Sequence, residues 1–331
     1  TQNPKAAYND RINFSLQRQV MAGIVLDFTY FISRGGNHQY QYQPNLLDPR
    51  LGYQYKSLIN QQVDNPYYNF GTPETFPGGL RNRARVPIST LLTPYPYYGD
   101  LRQWQASGRR IRYQSFQFKA QKPFTNGFTF LVGYNYNVRK NDELYDDVDN
   151  VDQRFTLIND NNPRHKFNVS GIYDFPFGHG RKWGGDWHSV VDGVLGGWST
   201  SFSYEYYSGE FLRFGGLLVD GDPRVDKQTR DRMFNTDVFN ILPAFTRRQN
   251  PWQYSGLTGP NFRNLDATLA KQFTLSEKLK LEFRLEAYNL TNSFMAGGVD
   301  VGVTSSRFGQ ITGQRSAYFG RQLQYGARLR W

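Results

Sequence analysis

Cysteine is absent from the 331-residue chain, and histidine (4) and methionine (3) are scarce. Without thiolates there is no disulfide and no zinc spacing to find, since His38, His165, His179 and His188 are scattered. A Gly-x-Ser-x-Gly elbow is missing too, and Gly178-His179-Gly180 is too short for a phosphate loop and follows the wrong kind of element. The chain therefore offers no catalytic or cofactor motif. No run of about eighteen apolar residues occurs, and the best stretch, Met21 to Ile32, carries Asp27, so no helix of this sequence spans a membrane. The lack of cysteine fits passage through an oxidising periplasm without staples, although many cytosolic chains share it. The opening Thr1-Gln2-Asn3-Pro4 has no apolar stretch behind a basic start, so a leader has been removed or an N-terminal part is missing.

Aromatic residues are abundant: Phe (26), Tyr (23) and Trp (6) make 17% of the chain, while total hydrophobics reach only 38% and mean hydropathy is -0.67. A buried soluble core would draw on Leu, Ile and Val. Aromatics and glycine (32) at low hydropathy suit a wall one residue thick, wet on one face and carrying polar loops. The net charge of +11 is spread as single and paired Lys and Arg among acids, with no basic helix. That favours a cationic surface against anionic lipid over a nucleic-acid site.

The pattern of the wall is clearest at the end of the chain. Leu323, Tyr325, Ala327, Leu329 and Trp331 alternate with Gln322, Gln324, Gly326, Arg328 and Arg330, a period of two that only a strand places on two faces. One such strand fits a soluble sandwich as well as a membrane barrel. Others repeat it: Ile12, Phe14 and Leu16; Leu26, Phe28, Tyr30 and Ile32; Phe116, Phe118 and Ala120; Phe128 to Val138; Phe167 to Phe175; Trp198 to Tyr206, running on towards Phe214; Leu265 to Phe273; and Leu279 to Ala287. Tight reversals are predicted at Met21-Ala22-Gly23, Asn126-Gly127 and Leu275-Ser276-Glu277. Long polar connections fall near 35–108, 140–164, 215–262 and 291–315. About nine strands with long loops at one end predict an all-β, antiparallel transmembrane β-barrel, long loops outside the cell. Counting back from a periplasmic C-terminus puts Thr1 outside, which makes the chain the C-terminal segment of a larger barrel or one piece of a split one. Arg18, Lys122 and Lys271 interrupt the apolar face, each near a short turn where a charge costs about 0 to 1 kcal/mol. The Gly-rich linker 176–197 sits where connections should be short and has no account at this level.

Several stretches carry a resemblance: Ile12 to Gln19, Pro163-Arg164-His165-Lys166-Phe167, Gly197-Trp198-Ser199 with Tyr207-Ser208-Gly209, Glu286-Ala287-Tyr288-Asn289-Leu290-Thr291-Asn292, Phe308-Gly309-Gln310-Ile311-Thr312 and Arg321 to the terminal aromatic. In this order the chain resembles the C-terminal barrel of TonB-dependent outer-membrane receptors, most of all their Oar-like branch with a carboxypeptidase-regulatory-like N-terminal domain. The resemblance implies a barrel of about 22 strands around a plug, a non-enzymatic receptor, and uptake of an oligosaccharide, peptide or metal chelate energised by TonB through a coupling box on the plug. Plug, box and the first half of the barrel are absent from this sequence. The implied partners are outer-membrane lipid and lipopolysaccharide, the remaining barrel and plug, and the barrel-insertion machinery, which would read Tyr325, Leu329 and Trp331. A surface or adhesion protein on the same scaffold is the alternative function.

In this register Tyr113, Gln117, Asn135, Glu205, Tyr207, Arg284 and Glu286 face the lumen as candidate ligand or plug contacts, with Lys280 and Glu282. Cross-strand charge pairing, worth about 0.2 to 1 kcal/mol per pair, is the plainer role. The acidic stretch Asp142 to Asp152 offers hard oxygens for Ca²⁺ but lacks the spacing of a calcium loop, and a solvated loop explains it as well. Tyr40, Tyr42, Tyr53, Tyr55, Tyr67, Tyr68, Tyr95, Tyr97 and Tyr98 would stack on sugars or clasp peptides, or pack the loops together. The Asn289-Leu290-Thr291 sequon is read as accidental.

Overall fold

Side chains that alternate between fat and water need a backbone paired on both sides, and the computed structural model shows such pairing over most of its length. It describes residues 5–144, 148–152, 154–276, 279–316 and 318–331. The wall consists of β1 (Tyr8–Gln19), β2 (Val25–Tyr42), β3 (Gln103–Thr125), β4 (Phe128–Leu144), β5 (His165–Asp174), β6 (Trp198–Tyr207), β7 (Phe262–Thr274), β8 (Lys280–Tyr288) and β9 (Gln322–Arg330). Each pairs antiparallel with the next in this order, and a short strand, Phe155–Asn159, pairs with the far end of β4 off the path. The sheet is open, with one edge of β1 and one of β9 unpaired among the described residues. An unpaired backbone group in hydrocarbon costs several kcal/mol, so this wall is part of a larger barrel.

Register keeps the two faces apart across the whole sheet. Leu16, Phe28, Phe118, Tyr134, Phe167 and Tyr206 lie in one continuous row of directly paired residues. One step along β2, Asp27 starts the row Lys119, Gly133, Asn168, Glu205 and Asn264 on the opposite face. The apolar face stays bare: Leu16 is 68% and Tyr325 76% exposed, with no second layer packed on it among the described residues. Large side chains left this open in water would mark a docking surface; in a barrel wall they meet lipid.

The strands run further than the apolar alternation does. β2 continues to Tyr42 and β3 starts at Gln103, with register shifts beyond Gly35, because backbone pairing persists where the wall leaves the lipid and face chemistry stops mattering. β6, in contrast, stops at Tyr207 rather than reaching Phe214. Here the chain crosses the 258–261 segment so closely that a Cβ on Gly209 would stand 1.8 Å from the Gly259 carbonyl oxygen, and only glycine fits. The short reversals use left-handed residues, Ala22 (φ 58) with Gly23 (φ 71), and Asn126 (φ 54) with Gly127 (φ 83). The third closes through Leu275 N donating to Leu279 O at 2.9 Å, while Glu277 lies outside the described residues.

The largest hydrophobic core is not in the wall. Leu212, Phe214, Leu217, Met233, Phe234, Phe239 and Leu257 form a buried cluster in the connection after β6, and Val299, Val301, Phe308 and Ile311 from the connection after β8 pack against it. Met233 N donating to Gly309 O (2.8 Å) and Ile311 N donating to Arg230 O (2.9 Å) tie the two connections together. The first long connection builds a smaller core from Phe76, Leu80 and Val86. These outer segments are ordered caps.

Two of the three charges on the apolar face are buried and satisfied. Lys122 is 2% exposed; its Nζ donates to Thr125 O (2.8 Å), Thr125 Oγ1 (2.6 Å) and Phe128 O (3.1 Å), and lies 3.8 Å from the centre of the Phe128 ring. Lys271 donates to Gly196 O and sits over the Phe273 ring at 4.8 Å. Both lysines knit turns at the wall's short-loop end. Lys271 also gives the Gly-rich linker a purpose, because Gly196 caps the helix Ser189–Leu195 that the linker contains.

Candidate functional site

All seven lumen candidates fall on the polar face, in separate groups. Gln117 stands opposite Asn135, and Tyr113 opposite Ser33 and Arg139. Asn135 Oδ1 is buried and finds no hydrogen-bond partner among the described residues, so this spot has an acceptor to offer. Glu205, flanked by Asn168 and Asn264, accepts from Tyr207 Oη at 3.3 Å. Arg284 donates to Glu282 and lies 4.0 Å from Glu286, which accepts from Tyr288 Oη at 3.3 Å. Glu282 also accepts from Arg330 at 3.3 Å. Arg284 and Glu286 therefore belong to a charge ladder within the wall.

Glu205 and Tyr207 lead upward. Tyr207 stacks on Phe262 (5.4 Å between ring centres, 16° between planes), and the guanidinium of Arg315 lies 5.5 Å from the centre of the same Phe262 ring. Arg315 lines a pocket of about 640 Å³ at the outer end, together with Glu210, Phe211, Arg213, Val299 and Gln314. A volume of this order holds a small ligand. Arg213 reaches Glu143 at 3.9 Å and Asn159 O at 3.5 Å, and its Nε is buried without a partner among the described residues. Arg164 lies over the Phe211 ring at 4.6 Å. Two guanidiniums beside one carboxylate give a lining of net positive charge, suited to an anionic or oxygen-rich ligand. Linear spacing does not join positions 213 and 315; the only trace in the sequence is the aromatic content of the connections that carry them.

One rim of the pocket is held by Asp300. Its carboxylate accepts from Ser305 Oγ (2.6 Å) and Gly302 N (2.9 Å), and these bonds, Ser305 first, hold it below the ordinary carboxylate range. A depressed folded pKa stabilises the turn above the unfolded value, about 3.9, and that contribution is lost as pH falls through the folded value. Protection from hydrogen exchange over 299–311, taken relative to the intrinsic rate at each pH, is expected to fall on acidification below about pH 4. Asp300→Asn should lower that protection and remove its dependence on pH; an unchanged protection profile in that variant would show that another group controls the turn.

Other residues singled out in the sequence have structural partners. Asp142 is buried and bonded by Arg110 through Nε (2.7 Å), Nη2 (3.1 Å) and the backbone N (2.8 Å). Asp152 pairs with Arg50. Asp146 and Asp147 lie outside the described residues, as does the side chain of Asp149, and the described residues hold no cluster of three metal-binding groups. Asn289, in the sequon, adopts φ 50, and its Nδ2 donates to Ser293 O (3.0 Å) and Phe319 O (3.1 Å). It ties the top of β8 to the approach of β9. Tyr67 stacks on Phe76 (5.6 Å between ring centres, 17°) and Tyr97 lies 5.7 Å from the same ring, so these two tyrosines pack the first cap, while Tyr55, Tyr68, Tyr95 and Tyr98 remain well exposed.

An antiparallel wall with one bare apolar face, one polar face and ordered caps over its long-loop end defines an integral outer-membrane β-barrel protein. Residues 1–324 match the family described as outer membrane beta barrel domain, and the chain belongs to that family. Among solved structures it is similar to the pyoverdine outer membrane receptor FpvA from Pseudomonas aeruginosa PAO1 bound to pyoverdine, at 8% identity and TM-score 0.45, covering 98% of this chain and 30% of that one. It is also similar to the outer membrane transporter YddB from Escherichia coli, at 9% identity and TM-score 0.45, covering 100% of this chain and 33% of that one. The chain thus spans about a third of the length of either. No protein of curated function matches its sequence.

Proposed function

We propose that this chain is the C-terminal barrel segment of a receptor of the TonB-dependent class, of the Oar-like branch, which takes up an oligosaccharide, peptide or metal chelate without transforming it. The observation that carries the proposal is the arginine-lined outer pocket, joined through Phe262 and Tyr207 to the polar face at Glu205. A surface protein needs no such link between its outer pocket and its lumen wall. Energy would come from TonB acting on a plug outside this chain, and Tyr325, Leu329 and Trp331 would serve the barrel-insertion machinery.

The test uses the full-length protein. Deleting the coupling box should abolish energised uptake while surface assembly persists, and unchanged uptake refutes the proposal. Arg213→Ala with Arg315→Ala should weaken capture from a panel of anionic saccharides, peptides and ferric chelates by about tenfold or more, since each charge-assisted bond contributes about 1.5–3 kcal/mol. The exposed tyrosines of the first cap support the adhesion alternative. It prevails if Tyr68→Ala with Tyr98→Ala lowers cell-surface attachment while the coupling-box deletion changes nothing.

A further inference from the structure

The helix Ser189–Leu195 is built inside out. Val190, Val194, Val191 and Leu195 span an arc of about 140° at about 100° per residue, and all four are exposed, Val190 at 67% and Val194 at 63%. The opposite face is the one turned to the protein. Asp192 accepts from His179 N at 2.8 Å and packs so tightly that a Cβ on Gly178 (φ +108) would stand 2.5 Å from its Oδ1. A helix docked on a soluble domain buries its apolar side and shows its carboxylate; this one does the reverse.

Its placement says what covers it. Trp198 and Lys271 occupy the lipid-facing row at the short-loop end of the wall, where they pair directly. Both reach out to the helix: Trp198 Nε1 donates to Val194 O at 2.8 Å, and Lys271 Nζ to Gly196 O. The helix therefore lies on the lipid side of the strand ends, not beneath the lumen. Trp198 and Lys271 also border an apolar groove of about 480 Å³ along that face, shared with Leu269, Phe283, Leu285 and Tyr325. The valine face thus adjoins the apolar, outward face of the wall. Beside it, exposed Phe177 and Trp183 lie 5.5 Å apart between ring centres, tilted by 32°, with Lys182 over the Trp183 ring at 4.9 Å. Aromatic rings and cations together suit the headgroup boundary.

We propose that the segment 176–197 is an interfacial foot, with the valine–leucine face of its helix resting in the headgroup–acyl boundary of the inner, phospholipid leaflet of the outer membrane. The foot anchors the wall at a fixed depth where the neighbouring turns are too short to do so.

Single cysteines at Val190 and Val194, and at Ser189 on the other side of the helix, carry nitroxide labels in the full-length protein in nanodiscs of phosphatidylethanolamine and phosphatidylglycerol. The ratio of oxygen to water-soluble nickel-chelate collisions is expected to be several-fold higher at 190 and 194 than at 189. Equal ratios with free access of the chelate overturn the proposal, as does shielding from both reagents, which would mean that protein covers this face. Val190→Asp with Val194→Asp should move a label at Val191 from lipid to water while the barrel keeps its folded, heat-modifiable mobility. A label that stays in lipid in that variant also overturns it.

Discussion

Replacing Phe234 with alanine is expected to loosen the outer cap while leaving the barrel wall standing. Phe234 is 0% exposed and lies edge-on to Phe214, Phe239 and Phe308 at 5.1–5.4 Å between ring centres. Phe308 comes from the other connection, so one ring clamps two segments far apart in sequence. Removing a buried phenylalanine typically costs about 3–5 kcal/mol in lost transfer energy and cavity. None of these contacts involves a wall strand, so the loss should stay within the cap. Trypsin added to intact cells should cut the variant near Arg230 and Arg232 while unheated samples still migrate as a folded barrel. Equal resistance of variant and parent would show that the aromatic cluster does not hold the cap closed.

Lys122→Met is expected to destabilise the wall itself. The substitution leaves the stem in place and removes the ammonium that donates to Thr125 O, Thr125 Oγ1 and Phe128 O at the hairpin between β3 and β4. A hydrogen bond from a charged donor contributes about 1.5–3 kcal/mol, and water at the turn recovers part of what is lost, so a total loss of about 2–3 kcal/mol is expected. Urea unfolding of the protein in lipid vesicles measures it. A lysine merely tolerated at the headgroup level would be replaced without loss, or with a gain of up to about 1 kcal/mol. The two accounts of this charge therefore separate cleanly, and a change near zero removes the hairpin-latch role.

The wall was legible because its rule is local. Phe28, Tyr30 and Ile32 need only their own alternation to declare a face, and the register that joins them to Phe118, Phe116 and Gln114 extends that declaration without changing it. The caps were not legible, since Phe214, Phe234 and Phe308 meet through tertiary contacts that no period predicts. The same holds for the pocket. Alternation alone turns Tyr207 inward, but its stack on Phe262 and the approach of Arg315 depend on a chain crossing fixed at Gly209 and Gly259. Lys122 and Lys271 looked like defects in a pattern because sequence shows a charge and not the carbonyls that receive it. The linker was opaque for a related reason: a seven-residue helix is too short to display a period, and its orientation only becomes clear once Trp198 and Lys271 are seen to hold it.

The separation of the buried aromatic cluster from the strands has a further outcome. Lipid stabilises one part of the molecule and a private core the other, with few side chains answerable to both. A lineage could therefore trade one outer cartridge for another, and with it the cargo recognised, while the membrane-embedded staves keep their sequence and their assembly route.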